Sequence, residues 1–158
     1  MFTVTLLEPQ IPPNTGNIAR LCAATNTRLE IAGNIGFKLS DRYLKRAGLD
    51  YWQHVNWEYF PDLDVYLSGL DENRLHLLTT KSDDAYVDRC FRPGDYLIFG
   101  SEITGINDDY LRKHADRCCT VPMMNSGVRS LNLSSTVAIV LYEALRQTKE
   151  LKPFNKDV

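Results

Sequence analysis

Tyr96-Leu97-Ile98-Phe99-Gly100-Ser101-Glu102-Ile103-Thr104-Gly105 reads as a short buried strand running into a glycine-bounded loop. Leu78-Thr79-Thr80-Lys81 closes a second strand in the same way. In parallel α/β sheets, ligands bind where strands finish at their carboxyl edge, so the two strand ends mark a candidate pocket. Gly100 allows close backbone approach, and Gly105 allows a turn that a β-carbon would hinder. The loop is not a P-loop, because no Gly-Lys-Ser/Thr follows, and it lacks the Gly-x-Gly-x-x-Gly of a dinucleotide fold. A plain strand–turn–helix connection accounts equally well for a lone Gly-x-x-x-x-Gly. Downstream come Val121-Pro122-Met123 and then Ser130-Leu131-Asn132-Leu133-Ser134-Ser135, where Ser or Asn can cap a final helix from Leu133 to about Lys149.

Strand-like and helical patterns alternate along the rest of the chain. Phe2 to Leu7 is a β-forming run that Glu8-Pro9 ends, and Pro12-Pro13 predicts an extended loop. Asn14 or Thr15 then caps a helix from about Gly16 to Thr25. Ile18, Leu21, Cys22 and Thr25 form its apolar face, which leaves Asn17 and Arg20 on a flank free to face a pocket. Arg28 to Ala32 is a strand, Asp41 to Ala47 a short basic helix, Tyr51 to Tyr59 an aromatic strand and Asp62 to Leu70 a helix. Arg74 to Leu78 is a strand, Asp108 to His114 a helix and Cys118 to Val121 the last strand. This alternation predicts an α/β fold with a mainly parallel sheet and helices on both faces, in one domain over 1–158. Ordinary topology rules would make it an open, doubly wound sheet.

Composition narrows the function. The 158 residues are 44% hydrophobic and 24% charged, ordinary for a globular domain that can bury a core without disulfide or metal. No apolar run approaches the roughly 20 residues of a membrane span and no signal peptide is legible, so a cytoplasmic location is expected. Cys22, Cys90, Cys118 and Cys119 lack metal or disulfide spacing and read as buried free thiols. His54, His76 and His114 lie on separate elements without zinc-ligand spacing, so no metal is expected. Ser101 is not in a Gly-x-Ser-x-Gly elbow, which counts against an esterase. The net charge of −2 argues against binding nucleic acid over the whole surface. Lys38, Arg42, Lys45 and Arg46 nevertheless form a dense basic stretch, either a solvated helix face or a phosphate-contacting patch.

Taken together, Asn14-Thr15-Gly16-Asn17-Ile18-Ala19-Arg20, the Phe99–Gly105 loop, Val121-Pro122-Met123 and the Ser130–Ser135 segment resemble the signature motifs of the SPOUT class of RNA methyltransferases. The likeness runs from Val4 to about Gln147 and is nearest to the small, single-domain members that 2′-O-methylate the wobble cytidine or uridine of tRNA. It implies a C-terminal deep trefoil knot and a S-adenosylmethionine site lined by Leu78, Gly100, Val121, Met123, Ser130 and Leu131. It also implies catalysis through Arg20 oriented by Asn17, and tRNA contacts through Arg42, Lys45, Arg46 and Arg129. Arginine is fully protonated in proteins, so positioning a phosphate and stabilising oxyanion charge suit Arg20 better than a role as base. Glu102, which could simply start a helix, takes a supporting role in the loop. Ser101 and Thr104 depart from the Pro and Arg that close relatives carry. The last helix is apolar almost all round, with Val140 and Leu141 among its outward positions, and a homodimer through it is expected. The same chemistry on another RNA, or a non-catalytic RNA-binding protein of this fold, are the alternatives.

Overall fold

The computed structural model describes residues 1–38 and 51–151. Strands β1 (Thr3–Leu7), β2 (Arg28–Ala32), β3 (Trp57–Phe60), β4 (Leu75–Leu78), β5 (Tyr96–Phe99) and β6 (Cys118–Cys119) form one six-stranded sheet in the order β3-β2-β1-β5-β4-β6. Every pairing is parallel. Register aligns Leu6 with Phe99, Phe99 with Leu78, and Leu78 with Cys119, which sets the carboxyl ends of four strands side by side.

Helices α1 (Pro12–Thr25) and α4 (Leu133–Gln147) cover one face, while α2 (Leu63–Ser68) and α3 (Asp108–Lys113) cover the other. Side chains alternate between faces as a strand requires. Val4, Leu6, Leu97 and Phe99 meet Ile18, Cys22, Val137 and Leu141 on the α1/α4 side. Leu7, Leu77 and Ile98 meet Tyr66, Ile106 and Leu111 on the other. That second face also buries a polar chain. The Tyr66 hydroxyl donates to Glu30 at 2.6 Å and lies 2.9 Å from Thr5 Oγ1, while Arg28 Nε donates to the other Glu30 oxygen at 2.6 Å. Burial and the adjoining carboxylate push the Tyr66 phenol up, so it remains a donor and satisfies a charge that would otherwise be costly to bury.

Several sequence expectations change. Helix α1 begins at Pro12, not Gly16, and neither Asn14 nor Thr15 caps it: its N-cap is Ile11, with prolines in the first two helical positions. Proline suits that place because its missing N–H would have had no partner there and its φ is already helical. The expected strand over Tyr51–Tyr59 divides into a 3-10 turn at Trp52–His54 and strand β3. Helix α4 buries Val140 and Leu141 completely in its own core; the apolar side chains it turns outward are Ile139, 37% exposed, and Tyr142, 48% exposed. Cys90 is exposed, whereas the other three thiols are buried. The basic helix expected at Asp41–Ala47, with Arg42, Lys45 and Arg46, lies outside the described residues. Among the described residues no helix is long and apolar enough to cross a membrane.

Candidate active site

The aligned strand ends open into a cavity of about 610 Å³. Its walls are the segment after β4 (Thr79–Lys81), the loop after β5 (100–106), the connection from Thr120 toward α4, and the start of α1. Main-chain bonds fix these segments against one another. Thr79 N–H donates to Cys119 O at 2.9 Å, Thr120 N–H to Asp84 O at 2.8 Å, and Tyr86 N–H to Thr120 O at 2.8 Å. Leu78, Gly100, Val121, Met123, Ser130 and Leu131, the residues expected at a cofactor site, all line this one cavity, as does Arg129.

The loop after β5 is shaped by its glycines. At Gly100 a β-carbon would collide with the backbone of Gly105 and Ile106, so the loop's two ends touch only because no side chain stands between them. Gly105 has φ +71°, and its N–H donates to Ser101 O at 2.9 Å to close the turn. Glu102 projects from this turn to the start of α1. Its carboxylate accepts from Gln10 N–H at 2.8 Å, Ile11 N–H at 3.3 Å and Asn14 Nδ2 at 3.0 Å. Asn14 Oδ1 in turn accepts from Asn132 Nδ2 at 2.9 Å. Asn132 Oδ1 caps α4 by accepting from Ser134 N–H at 2.9 Å and Ser135 N–H at 3.4 Å. One relay thus ties three cavity walls together. Glu102 does not start the helix ahead of Asp108, because Asn107 caps α3.

Charge around the cavity is mixed. Lys81 pairs with Asp108, whose carboxyl it holds below the usual range. Arg129 is exposed on the cavity rim. Burial pushes the Cys22 and Cys119 thiols up to about 12, which removes both as nucleophiles at neutral pH. His76 Nε2 donates to the Asp95 carboxylate at 2.9 Å, and burial holds the imidazole below its ordinary range despite that carboxylate. Among the described residues no group of three or more His, Cys, Asp or Glu is placed to hold a metal.

Arg20 and Asn17 stand apart from this constellation. Both are exposed on α1, neither lines the cavity, and no hydrogen bond joins them among the described residues. Arg20 instead lays its guanidinium over the Tyr51 ring, 4.8 Å from the centroid. Sequence reasoning missed Tyr51 and the bridging role of Asn14. The Asn14 signal was available, since the Asn-Thr-Gly-Asn-Ile-Ala-Arg motif includes it, but a capping role explained it away.

Residues 1–142 match the family model described as the SpoU rRNA methylase family. A tRNA (cytidine(34)-2′-O)-methyltransferase of Methylovorus glucosotrophus is 44% identical over 151 residues, covering 93% of this chain and 96% of that protein. One of the same name from Burkholderia pseudomallei is 42% identical, covering 93% and 96%. A solved structure concerned with 2′-OH methylation of C/U34 on tRNA superposes with a TM-score of 0.89 at 37% identity, over 96% of this chain and 98% of that one.

The two loop glycines should differ in their tolerance of a methyl group. Gly100→Ala forces backbone to move and should cost about 1–3 kcal/mol, as overpacking does. Gly105→Ala meets open space and should cost only the left-handed backbone penalty of roughly 1–2 kcal/mol. Urea denaturation of both variants checks the two costs; a Gly100→Ala variant as stable as the wild type would contradict the close approach at Gly100.

Proposed function

The chain belongs to the SpoU methylase family, and we propose that it 2′-O-methylates the wobble nucleotide of tRNA, cytidine 34 or uridine 34, with S-adenosylmethionine as methyl donor. The observation that carries this reading is the cavity at the carboxyl edge, assembled from loops of distant sequence and lined by every position that the family resemblance assigns to the cofactor.

The cavity suits that cofactor. Its volume lies in the range of small-molecule sites. Leu78, Phe99, Val121 and Leu131 offer apolar surface for a flat base, while the backbone of 100–106 and 120–132 offers polar groups for a nucleoside. Bound there, S-adenosylmethionine supplies a methyl group on a sulfonium, an electrophile that needs no metal for activation. The chain's own residues then have to align and polarise the ribose hydroxyl. Gly100 and the Glu102 relay hold the loop geometry. Arg129, on the rim, is placed to meet an RNA phosphate. Arg20 has no anionic protein partner among the described residues, so its guanidinium is available to an RNA phosphate and to negative charge developing on the 2′-oxygen. Lys38 is exposed, and the basic stretch of sequence it opens, with Arg42, Lys45 and Arg46, is proposed as the contact for phosphates of the anticodon stem. A protein with a net charge of −2 needs such a concentrated patch to attract tRNA.

Incubation with S-adenosylmethionine and a tRNA transcript carrying cytidine 34, in excess chelator, should give ribose-methylated cytidine at that position by nucleoside mass spectrometry. Arg20→Ala should lower the single-turnover rate by about a hundredfold or more, in the range of a lost transition-state donor. It should leave S-adenosylhomocysteine binding by calorimetry intact. Methylation elsewhere in the tRNA, or none, overturns the wobble reading; Arg20→Ala at near wild-type rate removes Arg20 from the chemistry.

We further propose a homodimer through the outward face of α4, where Ile139 and Tyr142 leave apolar surface beside α1. Ile139→Glu would bury an unpaired charge there, a cost of several kcal/mol, without disturbing the protomer core. Sedimentation should show the wild type at twice the chain mass of 18.0 kDa and the variant as a folded monomer. A dimeric Ile139→Glu variant would place the contact elsewhere.

A further inference from the structure

Arg20 is a four-torsion side chain on the exposed flank of α1, with no hydrogen-bonded partner to fix it among the described residues. A group of that kind loses side-chain entropy when it engages a ligand, and a transition-state contact is weakened by that loss. The structure supplies one restraint, the Tyr51 ring 4.8 Å from the guanidinium carbon. The backbone that carries this ring is anchored. His54 N–H donates to Tyr51 O at 2.8 Å, closing the short turn that Tyr51 opens. The next residue, Trp52, packs on the main core and meets Trp57 edge to face at 5.1 Å. Tyr51 therefore rides on a turn held to the body of the protein, yet stays 37% exposed beside α1.

Resting on the assignment of Arg20 above, we infer that Tyr51 is the positioning residue of the methyl-transfer site: its ring face holds the Arg20 guanidinium in one orientation, a task the sequence reading gave to Asn17. A ring face attracts and restrains a guanidinium without supplying an acceptor that would occupy its N–H groups. The N–H edge is where a phosphate oxygen or a developing 2′-alkoxide has to be met, in two parallel hydrogen bonds when the geometry allows. A carboxylate partner would have held Arg20 equally well but would have occupied that edge and offset the charge. An aromatic partner orients the cation without neutralising it. Among the described residues Asn17 has no hydrogen bond through which to do this.

The test is a single-turnover methylation series with enzyme in excess over a tRNA transcript bearing cytidine 34, on Tyr51→Phe, Tyr51→Leu, Arg20→Ala and the Tyr51→Leu/Arg20→Ala double variant. S-adenosylhomocysteine affinity and thermal midpoint are measured on each as checks of folding. Tyr51→Leu should slow transfer about two- to thirtyfold, the span of exposed to desolvated cation–π contacts. Cofactor affinity should hold, and Tyr51→Phe should restore the rate because the ring and not the hydroxyl makes the contact. In the Arg20→Ala background Tyr51→Leu should cost nothing further, since the two act through one contact. Tyr51→Leu at wild-type rate with Arg20→Ala inactive, or an equal loss with and without Arg20, overturns the role of Tyr51 alone. Arg20→Ala at wild-type rate overturns the assignment of Arg20 on which it rests.

Discussion

The carboxylate of Glu102 accepts two main-chain N–H groups and one side-chain amide at the start of α1, and through Asn14 it is linked to the cap of α4. This contact explains how α1 can begin as it does. A helix start leaves donors without internal partners, and α1 has no side-chain cap of its own. Pro12 and Pro13 contribute no N–H, and Asn14 and Thr15 turn theirs back to Ile11 O at 3.0 and 3.4 Å. Gln10 and Ile11 remain, and Glu102 takes both. A negative group at that end also meets the positive pole of the helix. Hydrogen bonds to a charged acceptor contribute about 1.5–3 kcal/mol each, enough to define where the loop after β5 sits.

From that fixed point the cavity follows. The parallel register puts the ends of β4, β5 and β6 beside one another, and Gly100 lets the chain double back at the end of β5 without a side chain in the way. Asn132 spends one end of its amide on α4 and the other on Asn14. The connection between β6 and α4 is thereby pinned against the loop that Glu102 anchors. Segments distant in sequence converge in this way on one ligand-sized space. The division of labour is clear in the charges. Backbone and apolar groups shape the cavity, the cation Arg129 stands exposed on its rim, and Arg20 lies outside it against Tyr51.

Much of this was legible from residue order. Strands β2 and β5 have the boundaries that their apolar runs predict, because buried parallel strands are continuous and short. The cavity-lining positions were also readable, since their motifs are local. Long-range bonds were not: Glu102 to Asn14 spans 88 residues and Asn132 to Asn14 spans 118, and no periodicity encodes such a pairing. Pro12-Pro13 predicts an extended loop yet opens α1, because proline has two opposite meanings, a breaker inside a helix and a favoured opener at its first turn. Helix α4 misled for another reason. With Val137, Ile139, Val140 and Leu141 nearly consecutive, the pattern is apolar in every direction and cannot say which row faces the sheet; the structure buries Val140 and Leu141 and exposes Ile139. Tyr51 was hidden in an aromatic run that reads as a strand, when its first residues form a turn whose ring serves Arg20.

The Glu102 relay holds the walls of the cavity in one arrangement. Calorimetric titration of S-adenosylhomocysteine into Glu102→Gln is the direct test, because the substitution keeps the side chain's size but removes the charge and replaces one acceptor oxygen with an amide donor, which must face either Gln10 N–H or the donors of Ile11 and Asn14. The account predicts a folded protein by circular dichroism whose affinity is weaker by about tenfold or more, the equivalent of one lost charged hydrogen bond. A folded Glu102→Gln variant with wild-type affinity would contradict it.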